Sequence, residues 1–104
     1  MYVLTVDLKI RPERLADFLH ELSNLRTLIE REPDCLGFDV LLNDDCPHHV
    51  LLVETWSSRA YFENVQLKRP YYALYFARVH PMWNAERQLH HWSAAPPLER
   101  REPE

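Results

Sequence analysis

Tyr2, Leu4, Val6, Leu8 and Ile10 alternate with Val3, Thr5, Asp7 and Lys9, so the chain opens on a strand, Tyr2 to Ile10, with one apolar face. The period then changes. In RPERLADFLHELSNLRTLIERE the residues Leu15, Phe18, Leu19, Leu22, Leu25 and Ile29 recur at spacings of three and four. That pattern predicts an amphipathic helix with Pro12 at its first position, where a missing amide hydrogen costs nothing. EPDCLG ends the helix, because a residue preceding proline avoids helical backbone. LGFDVLLN follows as a second strand, DDCPH as a turn, and His49 to Trp56 as a third strand paired with the second in an antiparallel hairpin. Ser57 or Ser58 caps a further helix, SRAYFENVQLKR, which Pro70 interrupts or kinks before YYALYFARV continues it. AERQLHHWS supplies a final strand. Residues 1–93 thus form one domain, and the charged, proline-bearing residues 94–104 read as a tail.

The element order is β-α-β-β-α-β, the split arrangement of an α+β, ferredoxin-like domain: a four-stranded antiparallel sheet with helices on one face. The third strand does not alternate. Val50, Leu52 and Trp56 share one face with Glu54, while Leu51 and Val53 share the other with His49 and Thr55. Two helices cover one face only, so one of these apolar sets faces away from them. A large side chain left in water forgoes about 1.5–3 kcal/mol of burial. The uncovered face is expected to pack on the same face of a second copy in a two-fold homodimer. The alternative, a monomer closed by its own tail, requires a less polar tail than this one.

Composition narrows the function classes. A chain of 104 residues has room for one core. Five Tyr, four Phe and three Trp point to a core or pocket built on rings. A net charge of −4 argues against nucleic acid, which needs a basic surface. With one glycine, Gly37, there is no phosphate-cradling loop or dinucleotide fingerprint, and no nucleophile elbow is present. Cys35 and Cys46 follow no metal or haem spacing. No basic leader and no membrane-length apolar run occurs, so a soluble cytoplasmic protein is expected. The doublets His48-His49 and His90-His91 lie on strands, where neighbours point to opposite faces, so neither places two rings on one metal ion.

Four stretches carry a family resemblance over about residues 1–93: the opening VLTVDLKIRPERLADFL, the EPDCLGFDVL lead-in to the second strand, VLLVETWSS with its E-x-W ending, and LKRPYYALY with its leucine, two residues, proline, aromatic pattern. Together they resemble the antibiotic biosynthesis monooxygenase family of dimeric α/β-barrel proteins, which includes cofactor-free quinol and polyketide monooxygenases. The resemblance implies a dimer with an aromatic small-molecule substrate, molecular oxygen as co-substrate and no cofactor. Haem-degrading relatives use an Asn, a Trp and a His. Here Asp7, Gln66 and Phe76 stand near those places, which disfavours haem cleavage. Many members carry a His four residues before the helix proline, where this chain has Gln66.

Cofactor-free oxygenation needs an electron-rich phenol or quinol, a group to take or stabilise its proton, and walls that exclude water. For walls the candidates are Phe38, Trp56, Phe62, Tyr72, Tyr75, Phe76 and Trp83, with Trp56 and Tyr72 foremost and Arg78 as a phenolate anchor. Each of these rings has plain core packing as its competing role, and a solvated arginine is the common outcome for Arg78. For catalysis His80 leads, since imidazole titrates near neutral pH and VHPMW sets it among apolar neighbours. A histidine closing a helix C-terminus is its alternative. Asn64 and Gln66 are candidates to hydrogen-bond a substrate oxygen. Glu54, flanked by apolar residues, is read as the partner of an arginine across the sheet or dimer contact, ahead of a desolvated base. No metal is expected. The competing functions are a non-catalytic small-molecule binding or sensing protein of this fold, and an isomerase on a small metabolite.

Overall fold

A computed structural model of the chain describes residues 1–98. Its strands are β1 (Tyr2–Lys9), β2 (Cys35–Asn43), β3 (Cys46–Trp56) and β4 (Gln88–Ser93); its helices are α1 (Leu15–Ile29), α2 (Arg59–Asn64) and α3 (Tyr71–Val79). The sheet is antiparallel in the order β2-β3-β1-β4, so the expected ferredoxin-like α+β order is the observed one. Ile10 lies outside β1 and makes a lone bridge to Trp83. Pro12 opens a short 3-10 turn, Pro12–Arg14, and α1 proper starts at Leu15.

Two local departures from the expected elements have clear causes. The β2–β3 hairpin is tighter than DDCPH suggests, because Asn43 Oδ1 accepts hydrogen bonds from the backbone N–H of Asp45 and Cys46 at 2.8 and 3.1 Å. A side chain thus closes the turn, and no residue needs a positive φ. Cys46, Pro47 and His48 consequently belong to β3, ahead of the stretch that pairs with β1 from His49 onward. The second departure is the break between α2 and α3. Ser58 caps α2 by accepting from the Tyr61 N–H at 3.0 Å, worth about 1 kcal/mol. The helix stops at Asn64, five residues before the turn that Pro70 imposes. Gln66–Lys68 forms a 3-10 turn and Arg69 is extended (φ −63°, ψ 129°), as a residue before proline must be. Pro70 then stands at the N-cap of α3.

The core lies between the sheet and the helices. Tyr2, Leu4, Val6 and Leu8 of β1 and Val50, Leu52 and Trp56 of β3 meet Phe18, Leu22, Leu25 and Ile29 of α1 and Tyr72, Tyr75 and Val79 of α3. The question left open by β3 is thereby answered: Val50, Leu52, Glu54 and Trp56 lie beneath the helices, and Leu51 and Val53 face away. The away-facing side also carries Leu41, paired with Leu51, and Trp92, paired with Val3. Leu41 is 50 % and Trp92 54 % exposed. Residues 94–98 leave this side open, with Leu98 fully in solvent; the rest of the expected tail, 99–104, lies outside the described residues. Among the described residues no helix is long and apolar enough to cross a membrane.

Candidate functional site

Between the helix-facing side of the sheet and the helices lies a cavity of about 140 Å³. Strand alternation supplies its floor: Leu4, Val6 and Leu8 from β1, Leu52 and Glu54 from β3, and Phe38 from β2. Helix spacing supplies its roof, since Tyr72, Tyr75 and Phe76 occur at i, i+3 and i+4 on α3 and turn the same way. Trp83, Arg87 and His91 close the side nearest β4. The Arg87 guanidinium lies over the Phe76 ring at 4.7 Å and the Trp83 ring at 5.5 Å, which holds a cation at the rim without a carboxylate partner among the described residues.

One charged group reaches the floor. Glu54 is 6 % exposed, set in the sheet between Leu4 on β1 and Phe38 on β2. Burial pushes its carboxyl up to about 7, against the pull of the Trp56 N–H and the Arg87 charge, both of which favour ionisation. Trp56 Nε1 donates to Glu54 Oε1 at 3.2 Å. The second carboxylate oxygen has no hydrogen-bond partner among the described residues. Glu54 is therefore poised to exchange a proton near neutral pH, inside a mostly apolar enclosure. The hydroxyls of Tyr72 and Tyr75 are pushed well above the ordinary phenol range, chiefly by burial and then by forces that include the Glu54 charge. Both stay protonated at neutral pH and are able to donate. The ring of Trp83 carries a buried Nε1–H with no partner among the described residues.

A family profile for antibiotic biosynthesis monooxygenases matches residues 1–73, well over half of the chain and all of the floor up to Glu54. The chain belongs to the antibiotic biosynthesis monooxygenase family. Solved structures agree on its fold. A crystal structure of an antibiotic biosynthesis monooxygenase superposes with a TM-score of 0.85 at 20% identity, covering 92% of this chain and 100% of that one. A Nitrosomonas europaea protein named as a candidate antibiotic biosynthesis monooxygenase gives 0.83 at 20% identity over 90% and 98%. A conserved protein of Methanosarcina mazei Go1 gives 0.82 at 13% over 88% and 89%. At these identities the likeness is one of fold. No curated protein matches the chain.

For this antibiotic biosynthesis monooxygenase family member, the residues singled out in the sequence divide into three groups. Phe38, Tyr72, Tyr75 and Trp83 line the cavity. Trp56 and Gln66 are fully buried beside it and act on its lining: Trp56 holds Glu54, and Gln66 donates to the Tyr72 oxygen at 3.0 Å. His80, Asn64 and Arg78 are not brought to the cavity. The His80 side chain is 64 % exposed and points to Glu86, 3.7 Å away, because α3 ends at Val79 and a 3-10 turn carries His80 outward. Asn64 closes α2 on its solvent side. Arg78 pairs with Glu21 of α1 at 3.4 Å across the helix surface. The expected arginine partner of Glu54 is likewise not observed among the described residues. Arg87 and His91 entered no sequence-based candidate set, since each earns its place only once β4 lies beside β1. Phe62 and Phe76, both read as wall candidates, also line the cavity. The doublets split as strand geometry requires: His91 meets the Tyr2 hydroxyl on the cavity side, while His49 Nε2 bonds Asp7 Oδ1 at 2.8 Å on the open face.

Proposed function

We propose that the cavity binds an electron-rich phenol or hydroquinone and oxidises it with molecular oxygen, without a cofactor, and that Glu54 is the proton acceptor. The observation that carries this reading is the buried Glu54 carboxyl, held at about 7 in a cavity walled by aromatic rings. At neutral pH a fraction of Glu54 is ionised and takes the phenolic proton. The resulting phenolate is a strong enough reductant to pass an electron to oxygen within a water-poor enclosure. In the overall change a hydroquinone gives up four electrons to one molecule of oxygen; one oxygen atom enters the ring to give a hydroxyquinone and the other leaves as water. The ring supplies all the electrons, so the protein's share is proton transfer, electrostatics and exclusion of solvent. The mostly apolar lining favours a ring over a small polar metabolite, and so this reading over an isomerase.

The assembly belongs to the same proposal. We assign residues 1–93 to the domain and propose that two copies meet through the open sheet face around Leu41, Leu51, Val53 and Trp92, in a cytoplasmic homodimer. The two cysteines, which are unpaired, suit a reducing setting. Oxygen uptake by the purified, metal-free protein over a panel of hydroquinones tests the activity. The expected rate exceeds autoxidation, rises with pH through about 7, and is lost in Glu54→Gln. A rate equal to autoxidation for every substrate rejects it. One observation favours the second reading, sequestration without turnover: Asn64 and His80 stand outside the cavity, which leaves Glu54 with few polar helpers. That reading predicts a ligand-dependent rise in melting temperature with the ligand recovered unchanged.

A further inference from the structure

Gln66 has no exposed surface, and both ends of its amide are taken by tyrosines. Its Oε1 accepts from the Tyr61 hydroxyl at 3.1 Å, and its Nε2 donates to the oxygens of Tyr71 and Tyr72 at 2.7 and 3.0 Å. The direction of these bonds is fixed from outside. Glu32, held by Arg69 at 3.1 Å, can only accept when ionised, so Tyr71 spends its single proton on Glu32 Oε1 at 3.2 Å. Tyr71 must then accept from Gln66, which places the amide nitrogen, not the oxygen, toward Tyr71 and Tyr72. Tyr72 therefore receives a hydrogen bond and keeps its own proton. Among the described residues that proton has no acceptor, although Tyr72 is buried and its ring lines the cavity.

We propose that Tyr72 is a hydrogen-bond donor to the oxygen of a bound phenol or phenolate, and that Gln66 is its positioning residue, with the half-buried Glu32 setting the direction of the chain. The ligand class is thereby narrowed to rings carrying an oxygen acceptor that can reach Tyr72 while the ring sits under α3. The inference rests on the reading of the cavity as a phenol site, but not on turnover. Gln66 touches the ligand only through Tyr72. A carboxylate at the same place would reverse the chain, since its oxygens would draw the Tyr72 proton inward and away from the ligand.

The test is equilibrium binding of 4-nitrophenol, followed by the absorption of its phenolate, with nitrobenzene as the same ring lacking the oxygen acceptor. Tyr72→Phe keeps the ring and is expected to weaken nitrophenolate by about tenfold or more, the range for a hydrogen bond to a charged group, and to leave nitrobenzene unchanged. Gln66→Glu is expected to reproduce that selective loss in the native background and to add nothing in the Tyr72→Phe background. A purely structural or purely charge-based effect of Gln66→Glu would persist in both backgrounds, and would overturn the proposal. So would equal affinities of Tyr72→Phe and the native protein for nitrophenolate; that comparison decides alone if Gln66→Glu does not fold. If the native protein binds neither probe, the phenol reading of the cavity falls and this inference with it. Binding that no variant alters removes the inference alone.

Discussion

Replacing Glu54 by Gln should make the protein more stable at pH 8 and leave it unchanged at pH 4. The carboxyl titrates near 4.5 when solvated and is pushed up to about 7 by burial in the folded chain. Below pH 4.5 it is protonated in both folded and unfolded chains and makes no difference. Between 4.5 and about 7 the unfolded chain releases the proton while the folded chain keeps it, so stability falls as pH rises. Above about 7 the loss is complete. At 1.36 kcal/mol per pH unit, that interval corresponds to about 3 kcal/mol. Glutamine has nearly the same shape, retains an oxygen to accept the Trp56 N–H, and has no charge to desolvate. The measurement is urea denaturation of both proteins from pH 4 to pH 8.5 at one protein concentration, which cancels every other titrating group in the difference. A stability difference that grows by about 3 kcal/mol across the range is expected. A difference flat with pH would mean that Glu54 ionises as an ordinary solvated carboxylate, and the proton-acceptor role would lose its basis.

Leu51→Glu puts a charge at the centre of the open sheet face and removes a large apolar side chain from each of two copies. At about 1.5–3 kcal/mol per side chain, the dimer should weaken by a factor of about one hundred to ten thousand; sedimentation that still shows a dimer at low micromolar concentration would refute this interface. Trp56→Phe deletes the N–H that favours ionised Glu54. The onset of quinol oxidation should move to higher pH and stability should drop by about 1–3 kcal/mol, both read from pH-rate profiles and urea melts; an unmoved profile would disconnect Trp56 from the chemistry. His80→Ala should leave kcat and KM unchanged, because the side chain stands in solvent outside the cavity; a large fall in kcat would return His80 to the site.

The architecture was legible because period and punctuation agreed along most of the chain. The alternation of β1 and the three-and-four spacing of α1 have one interpretation each, and β3 betrayed a two-sided sheet by failing to alternate. What β3 could not reveal was which side the helices take, since Val50, Leu52 and Trp56 are as apolar as their neighbours and periodicity carries no label for a face. The hairpin was misplaced because its turn is closed by the Asn43 side chain and lacks the glycine that marks such turns in a sequence. The break after α2 announced itself through Pro70, but its true start follows from Gln66, whose amide serves three tyrosine hydroxyls at once.

Glu54 shows why the site was harder to read than the fold. From the sequence, a carboxylate on an apolar strand has two outcomes, a buried ion pair or a base with a raised pKa, and the choice depends on where the arginines go. Arg59 pairs with Glu63 at 2.7 Å, Arg69 with Glu32 at 3.1 Å and Arg78 with Glu21 at 3.4 Å. The Arg59 and Arg78 bonds are made at the surface, where a long side chain keeps its guanidinium hydrated, and the Arg69 bond to Glu32 is part-buried. Arg87 remains near the cavity, but its guanidinium is engaged over the Phe76 and Trp83 rings and reaches Glu54 only through its field. With the cations held at the rim, the carboxyl is left with one indole N–H for company. Burial raises its proton affinity, opposed only by that N–H and the field of Arg87, and it is on this balance that the proposed role of proton acceptor for a phenol rests.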